Sequence, residues 1–209
     1  MTEKAEKEAE FVGIMLGDGS IGIYNYKSEN RLRIQHQLKV TLDSRNKDYI
    51  CYVSNLMEEV LGIAPKIFFK AHENAADIRI FNKEKVLYAL NCLGLKISPK
   101  LNNMKIPKNC LKKKLDLFVL KGLFDTDGSI TIFRNNGIIY PRIEIRVCPS
   151  PAQEQVLNIL KKHKFNYRIQ RLDKGHIKIR LSGKKELKNW FDKVGSSNNR
   201  HIRRANKFL

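Results

Sequence analysis

Long apolar runs, paired cysteines and abundant histidines are missing from this 209-residue sequence. No stretch approaches the roughly 18 consecutive apolar residues that a membrane-spanning helix needs, and the first ten residues are rich in Glu and Lys, unlike a secretory signal. The four cysteines form no C-x-x-C pair, which argues against a zinc site and a disulfide framework. We therefore expect no membrane partner and an intracellular location, in the cytoplasm of a prokaryote or in an organelle.

Acidic residues are scarce relative to basic ones. The sequence has 40 Lys and Arg against 21 Asp and Glu, a formal net charge of +19. A charge of this size repels itself, and a bound polyanion would relieve the repulsion. Nucleic acid is the first candidate because each neutralised phosphate releases counterions and so drives binding. The alternative is a solvated lysine surface with no such partner.

The sequence contains an internal repeat. Residues 13–21 (GIMLGDGSI) and 122–130 (GLFDTDGSI) share Gly, Asp, Gly, Ser and Ile at an offset of 109 residues. Alternating apolar and polar residues predict a strand after each copy, at 31–41 and 140–147. Helical patterns follow, then two more strands and a closing helix, so each half has the predicted order α-β-β-α-β-β-α.

The predicted fold class is α+β, with two αββαββα units related by pseudo-two-fold symmetry, because a repeated interface packs well against itself. We place the first unit at residues 1–96 and the second at 111–209. The segment 97–110, with its prolines, lysines and asparagines, is predicted to be the linker.

Small residues recur on one face of the helix that precedes each repeat. They are Gly13 and Gly17 in the first copy, and Gly122 and Thr126 in the second. Glycine inside a helix costs about 1 kcal/mol relative to alanine, so its presence here indicates the close approach of another helix backbone. We expect the two motif helices to pack against each other along the pseudo-two-fold axis.

That pairing would bring Asp18 and Asp127 together at the helix ends. Two adjacent carboxylates repel, and one becomes protonated unless a cation lies between them. Oxygen-only ligation suits Mg²⁺, and a metal at a phosphodiester activates water and stabilises the leaving oxygen. The alternative is that Asp-Gly forms only a structural turn at the end of each helix. The aspartate recurs at the same place in both copies, however, which favours a metal site.

Residues 11–19 (FVGIMLGDG) and 120–128 (LKGLFDTDG) resemble the two motifs of the LAGLIDADG homing endonucleases. The resemblance covers nearly the whole chain, because the order of strands and helices also fits; Leu16 and Lys121 depart from the most typical motif letters. It implies two saddle-shaped antiparallel sheets that lie in the DNA major groove. It also implies a Mg²⁺-dependent endonuclease that hydrolyses both strands at the centre of a long site.

By position, the resemblance makes Asp18 and Asp127 the catalytic, metal-binding carboxylates, assisted by the backbone carbonyls of Gly17 and Thr126. Mn²⁺ is expected to substitute for Mg²⁺, and Ca²⁺ to bind without supporting efficient cutting. In this family, polar and basic residues around the site also assist catalysis. The candidates by position are Asp43 with Lys47, Pro149 with Gln153, Lys96 or Lys100, and Asn199, Arg200 or His201. A phosphate contact is an equal alternative for each basic residue, and Pro149 cannot orient water with a side chain, which predicts unequal cutting of the two strands.

Strand alternation predicts the DNA-contacting side chains. Arg pairs well with guanine and Gln with adenine, and Glu accepts from cytosine, so a mixed face suits base recognition better than a plain lysine patch. An ordinary solvated face is the alternative for any single strand. The predicted contacts are Arg31, Arg33, Gln35, Gln37, Lys39, Thr41, Asp77, Arg79, Arg142, Glu144, Arg146, Arg168, Gln170, His176, Lys178 and Arg180.

The two halves differ at these positions, so we expect a monomer that binds an asymmetric double-stranded site on the order of 20 bp. The sequence is interpreted as an intron-encoded nuclease. The alternative is a catalytically silent nucleic-acid-binding protein of the same fold, either a maturase that binds its intron RNA or a DNA-binding regulator. Retention of both aspartates favours the nuclease.

Overall fold

The computed structural model describes residues 2–28, 31–112 and 114–209. The first half contains α1 (Glu3–Leu16), β1 (Gly19–Ser28), β2 (Arg31–Asp43), α2 (Lys47–Leu61), β3 (Lys66–Phe69), β4 (Ala75–Ile80) and α3 (Lys83–Asn91). The second half contains α4 (Leu115–Asp127), β5 (Gly128–Asn135), β6 (Ile138–Val147), α5 (Ala152–Lys162), β7 (Arg168–Arg171), β8 (Ile177–Ser182), α6 (Lys184–Lys193) and α7 (Asn199–Ala205). The predicted α+β class and element order are confirmed, and α7 is an additional helix.

Each half forms one four-stranded antiparallel sheet. The strand orders are β1-β2-β4-β3 and β5-β6-β8-β7. Gly19 lies opposite Val40 in the first sheet, and Gly128 lies opposite Ile145 in the second. The repeat motif therefore enters both sheets at the same register, as the sequence repeat predicts.

Helices cover one face of each sheet and leave the other open. Helix α3 contacts β2, and α6 contacts β6 and β8. In β2, Leu38, Val40 and Leu42 are buried, whereas Lys39 and Thr41 between them are partly exposed. The period-two pattern thus separates an apolar core face from a polar, uncovered face.

The long hairpins β1–β2 and β5–β6 extend beyond the helical layer. Leu32 is 70% exposed and Ile34 is 59% exposed, although both lie on the core side of the strand by register. Ile132 and Ile138 are similarly exposed in the second hairpin. Strand alternation continues to the hairpin ends, but the burial that it indicates stops where the helices stop.

Helices α1 and α4 pack backbone to backbone at the centre of the molecule. A Cβ atom on Gly13 would lie 2.2 Å from the Val119 carbonyl oxygen, and one on Gly122 would lie 2.2 Å from the Glu10 carbonyl oxygen. No real side chain tolerates such distances without a shift of the backbone. The predicted pairing of the two motif helices is confirmed.

The segment between α3 and α4 is packed against the second half. The Asn102 amide donates to the Pro149 carbonyl at 2.8 Å, and the Ala152 amide donates to the Met104 carbonyl at 3.1 Å. The side chain of Gln155 bonds both backbone groups of Ile106, at 2.7 and 3.0 Å. This segment, predicted as a linker at 97–110, therefore also holds the two halves together, while its boundaries stay a prediction. Within the described ranges, no helix is long and apolar enough to span a membrane.

The helix contact predicts a large penalty for added side-chain volume. Gly13→Ala and Gly122→Ala are each expected to lower the free energy of unfolding by about 1–3 kcal/mol, because the helices must separate to admit a methyl group. Urea denaturation at equilibrium measures the difference. The control is Gly22→Ala, where the added atom would meet only the ring end of the half-exposed Tyr24. Equal losses in all three variants would contradict the close-packing argument.

Candidate active site at the paired helix ends

Two aspartates lie where α1 and α4 end together. Asp18 directly follows Gly17, the C-cap of α1, and Asp127 is the last residue of α4. A Cβ atom on Gly17 would lie 2.0 Å from Thr126 Oγ1 and 3.4 Å from Asp127 Oδ2. The small residue at position 17 therefore brings the carboxylate of one half against the backbone next to the carboxylate of the other.

Both carboxyl groups have raised pKa values. Burial, with the charge of Asp127, raises the pKa of Asp18 to about 6, and Lys100 opposes this shift. Burial also raises the pKa of Asp127, and the charges of Lys100 and Arg146 oppose it. Asp127 is the more exposed of the pair. Such a pair favours a bound cation, since a positive ion offsets both desolvation and repulsion.

Lys100 reaches the site from the segment between the halves. Its Nζ donates to the carbonyl oxygens of Leu16 at 3.0 Å and Met15 at 3.3 Å, and to that of Gly17. A cation is favourable there because the carbonyl end of a helix carries partial negative charge. Burial lowers the pKa of Lys100, while the two aspartates raise it.

The end of α4 carries a neutral group in the corresponding place. Asn198 Nδ2 donates to the Asp125 carbonyl at 3.0 Å, and Asn198 Oδ1 accepts from Asn46 Nδ2 at 2.9 Å. Asp125 occupies the repeat position of Leu16. An amide thus caps α4 where an ammonium group caps α1, so the two ends of the site differ electrostatically.

A buried polar network, absent from the sequence-based prediction, fixes this second end. Asp125 accepts from the Ser197 amide at 2.7 Å and from the Ser196 hydroxyl, and burial raises its pKa to about 7. Glu10 accepts from Ser197 Oγ at 2.8 Å and Lys121 Nζ at 3.0 Å. The acidic residues within the apolar motif helices could have indicated such a network. Their partners lie up to 187 residues away in the chain, however, so the sequence does not identify them.

Other predicted catalytic side chains lie outside the carboxylate pair. Lys47 is exposed at the first turn of α2. Gln153 Nε2 donates to the carbonyls of Val147 at 3.2 Å and Gly175 at 2.9 Å, which ties the end of β6 to the β7–β8 connection. These bonds favour a structural role for Gln153, and its catalytic role stays a prediction.

The remaining candidates near the C-terminus have structural partners. The ring of His201 packs 4.6 Å from that of Phe124, and burial lowers its pKa to about 4. Arg200 lies 3.7 Å from Asp43, and Asn199 Nδ2 donates to Asp48 at 3.2 Å. His201 is therefore neutral at pH 7 and belongs to the packing of α7 against α4.

The donor set fits a magnesium ion that is shared with substrate. Among the described residues, no group of three or more His, Cys, Asp and Glu side chains could hold a metal ion. Mg²⁺ commonly binds one or two carboxylates and completes its shell with water and phosphate oxygens, which Asp18 and Asp127 allow. The Gly17 carbonyl, expected as a further ligand, accepts from Lys100.

The predicted DNA-contacting residues lie on or beside the uncovered sheet faces. Register pairs Lys39 with Arg79 and Thr41 with Asp77 in the first sheet, and Glu144 with Arg180 in the second. His176 immediately precedes β8. The sequence-based prediction omitted the exposed aromatic residues of β1 and β5, because it examined only the neighbouring strands. Those on the same faces are Tyr24, Tyr26 and Phe133.

One predicted DNA contact requires correction. The side chain of Asp77 is fully buried, accepts from Thr41 Oγ1 at 2.7 Å and forms an ion pair with Arg79. A buried carboxylate that is already bonded to two side chains cannot accept a hydrogen bond from a base. Asp77 instead holds Thr41 and Arg79 in place.

The raised pKa of Asp18 gives a testable dependence of stability on pH. Protonation of the folded state is favoured up to about pH 6, so the metal-free protein is expected to lose stability as pH rises from 4 through 6. Asp18→Asn removes this loss and should be more stable than the wild type at pH 8, on the order of 1–2 kcal/mol, but similar at pH 4. Urea unfolding in EDTA at both pH values measures this, with Asp192→Asn, at an exposed helix position, as control. A pH-independent difference would contradict the electrostatic origin.

Comparisons with known proteins agree with the fold of this chain. Among solved structures, mesophilic variants of the homing endonuclease I-DmoI match with a TM-score of 0.65 and 18% identity, covering 93% of this chain and 97% of that chain. I-DmoI in complex with DNA and Mn matches with a TM-score of 0.64 and 19% identity, covering 93% and 99%. The I-LtrWI LAGLIDADG homing endonuclease bound to target DNA matches with a TM-score of 0.67 and 11% identity, covering 97% and 88%. At these identities the matches show the fold.

Family membership rests on a separate comparison. No curated protein matches the sequence significantly. The model of the LAGLIDADG DNA endonuclease family matches residues 10–189, a span that includes both motif helices, both sheets and the segment between them. The protein therefore belongs to the LAGLIDADG DNA endonuclease family.

Proposed function

We propose that this protein is a site-specific homing endonuclease that cuts both strands of a long, asymmetric DNA target by Mg²⁺-dependent hydrolysis. The observation that carries the proposal is the meeting of Asp18 and Asp127, from matching positions of the two halves, at the ends of two closely packed helices. Both have pKa values raised by burial. Such a site is costly to maintain unless a cation and a phosphate complete it.

The residues of the chain account for three parts of the chemistry. A divalent metal held by the two carboxylates would polarise the scissile phosphate and activate water. Asp18 and Asp127 supply the negative charge that holds the metal, and the close packing of α1 and α4 fixes their separation. The ammonium group of Lys100, held at the end of α1, lies beside both carboxylates and is positioned to stabilise negative charge that develops on the phosphate.

The uncovered sheet faces supply the DNA-binding surface. The net charge of +19 favours phosphate contacts along a long duplex. Matching positions in the two sheets carry different residues, such as Lys39 and Glu144, which supports an asymmetric target. If each sheet follows one turn of duplex, the site spans about 20 bp. One chain supplies both carboxylates, so we propose that the protein acts as a monomer. We further propose that it is an intron-encoded nuclease that acts on cellular DNA.

The two ends of the site support unequal cutting of the strands. Lys100 places a positive charge at the end of α1, whereas Asn198 places an amide at the end of α4. Electrostatic stabilisation of the transition state is therefore weaker at the second end. Pro149, the candidate of the second half by position, offers no polar side chain to compensate.

Removal of either carboxylate is expected to abolish cutting without abolishing binding. Wild type, Asp18→Asn and Asp127→Asn are incubated with a randomised duplex library and Mg²⁺, Mn²⁺, Ca²⁺ or EDTA. The wild type should cut one long asymmetric sequence with Mg²⁺ or Mn²⁺ only, and both variants should still retain that sequence on a filter. Asp192→Asn should cut normally. Sequence-specific binding without cutting under any metal would favour a DNA-binding regulator, and preferential retention of structured intron RNA would favour a maturase.

Lys100→Met is expected to slow cutting roughly 100-fold, the scale of losing one charged stabiliser of a transition state. The control is Lys96→Met, since Lys96 is exposed four residues earlier and carries the same charge. Lys47→Met and Gln153→Ala should change the rate little, because Lys47 is exposed and the Gln153 amide nitrogen bonds the backbone. Single-turnover cleavage of a labelled duplex measures both strands. Equal losses in Lys100→Met and Lys96→Met would indicate only a non-specific effect of charge on binding.

A further inference from the structure

Glu144 is enclosed by basic side chains on the uncovered face of the second sheet. Its carboxylate accepts from Arg180 Nε at 3.0 Å, and Lys178 Nζ and Arg142 Nη1 lie 3.6 and 4.0 Å away. The Glu144 side chain is only 13% exposed. A carboxylate that is surrounded in this way has less capacity to accept a hydrogen bond from cytosine, which favours a positioning role for Glu144 over the predicted direct contact.

Two of these arginines are each bonded through Nε. Arg180 Nε donates to Glu144, and Arg142 Nε donates to Ser182 Oγ at 3.2 Å. The guanidinium of Arg142 also lies 4.2 Å from the ring centre of Phe133. Bonding through Nε restrains each side chain, and we expect the terminal nitrogens to contact the bases. A fixed pair of N–H donors matches the O6 and N7 acceptors of guanine, and prior ordering lowers the entropic cost of binding.

Both arginines line an open cleft of about 680 Å³ on this face. Its walls also include Arg168 and Gln170 from β7. The cleft thus combines two fixed guanidinium groups with space for the edges of bases. Arg142 and Arg180 are diagonal neighbours on adjacent strands, because Arg142 lies opposite Ser182. Diagonal neighbours are roughly 7–8 Å apart, which corresponds to about two base steps of 3.4 Å.

The first sheet lacks this arrangement. The register position of Glu144 is occupied there by Lys39, opposite Arg79. Arg79 forms its ion pair with Asp77 through a terminal nitrogen, Nη2, so part of its donor pair is already used. Phe68 lies 5.0 Å from the Arg79 guanidinium, and Phe81 packs edge-on against Phe68 at 6.4 Å. At the matching positions of the second sheet, the smaller or polar Gln170 and Ser182 leave the cleft open.

We propose that Glu144 is a positioning residue that fixes Arg142 and Arg180 as a pair of guanine-recognising side chains. The substrate of the chain is then a duplex that requires guanine at two positions in the half-site under the second sheet, about two base steps apart. This inference rests on the proposed function as a DNA-binding nuclease. It adds two guanine positions in the half-site under the second sheet and the acidic residue that sets the preference there.

The test is a binding selection from a randomised duplex library in EDTA, which needs no cutting. The wild type should prefer guanine at two nearby positions by about 5- to 150-fold, the range for a bidentate contact. Arg142→Lys and Arg180→Lys should each lose the preference at one position. Glu144→Gln keeps the size of the side chain but removes its charge, and should weaken both preferences about tenfold while affinity for random DNA stays equal or rises. Arg79→Lys, on the first sheet, is the matched control and should leave both guanine positions unchanged.

A second variant keeps the test independent of the stability of Glu144→Gln. Ser182→Ala removes only the Nε partner of Arg142, at an exposed position, and should weaken one guanine preference and not the other. Unchanged guanine preferences in Glu144→Gln, or guanine preferences that respond to Arg79→Lys instead, would overturn the positioning role. Selection of a sequence that is then not cut with Mg²⁺ would reject the nuclease proposal alone. Absence of any selected sequence would overturn both.

Discussion

The contact between α1 and α4 is the constraint on which the rest of the structure depends. Because positions 13 and 122 are glycines, the backbone of each helix occupies the space that a side chain at the other helix's glycine would fill. Two helices that approach this closely cannot slide or rotate without a clash, so the positions of their ends are fixed. Both sheets follow directly from these ends, since β1 begins at Gly19 and β5 at Gly128. One interface therefore sets both the separation of the carboxylates and the relation of the two sheets.

The same interface creates an electrostatic cost. It places the partly buried Asp18 near the more exposed Asp127, and the pKa values of both rise. The surrounding structure offsets this only in part: Lys100 lies at the end of α1, and the network around Asp125 orders the end of α4. The protein alone does not fully compensate the negative charge of the two aspartates. Such a site is suited to bind a cation together with a phosphate. Stability is given up where the proposed chemistry requires it.

The two halves share their core contacts and differ in their exposed side chains. Register and helix contacts are shared because the core of each half demands them, whereas exposed positions are free to differ. Lys100 has an amide counterpart in Asn198, and Lys39 has an acidic counterpart in Glu144. Asp77 in the first sheet and Glu144 in the second each form an ion pair with an arginine, but they lie on non-matching strands. The two halves thus present unlike surfaces on a common frame.

The sequence by itself determined the repeat, the α+β class, the element order, the pairing of the motif helices and the meeting of Asp18 with Asp127. These features depend on local periodicity and on small residues at fixed spacing, and both patterns occur in each copy of the repeat. The tertiary structure alone decided which polar side chains are free. Lys100 and Gln153 were equal candidates in the sequence, yet one reaches the end of α1 and the other bonds the backbone. Asp77 and Glu144 alternated like base-contacting residues, but Thr41 and Arg180 on the neighbouring strands bond them. Such partnerships join residues distant in the chain, and no local pattern records them.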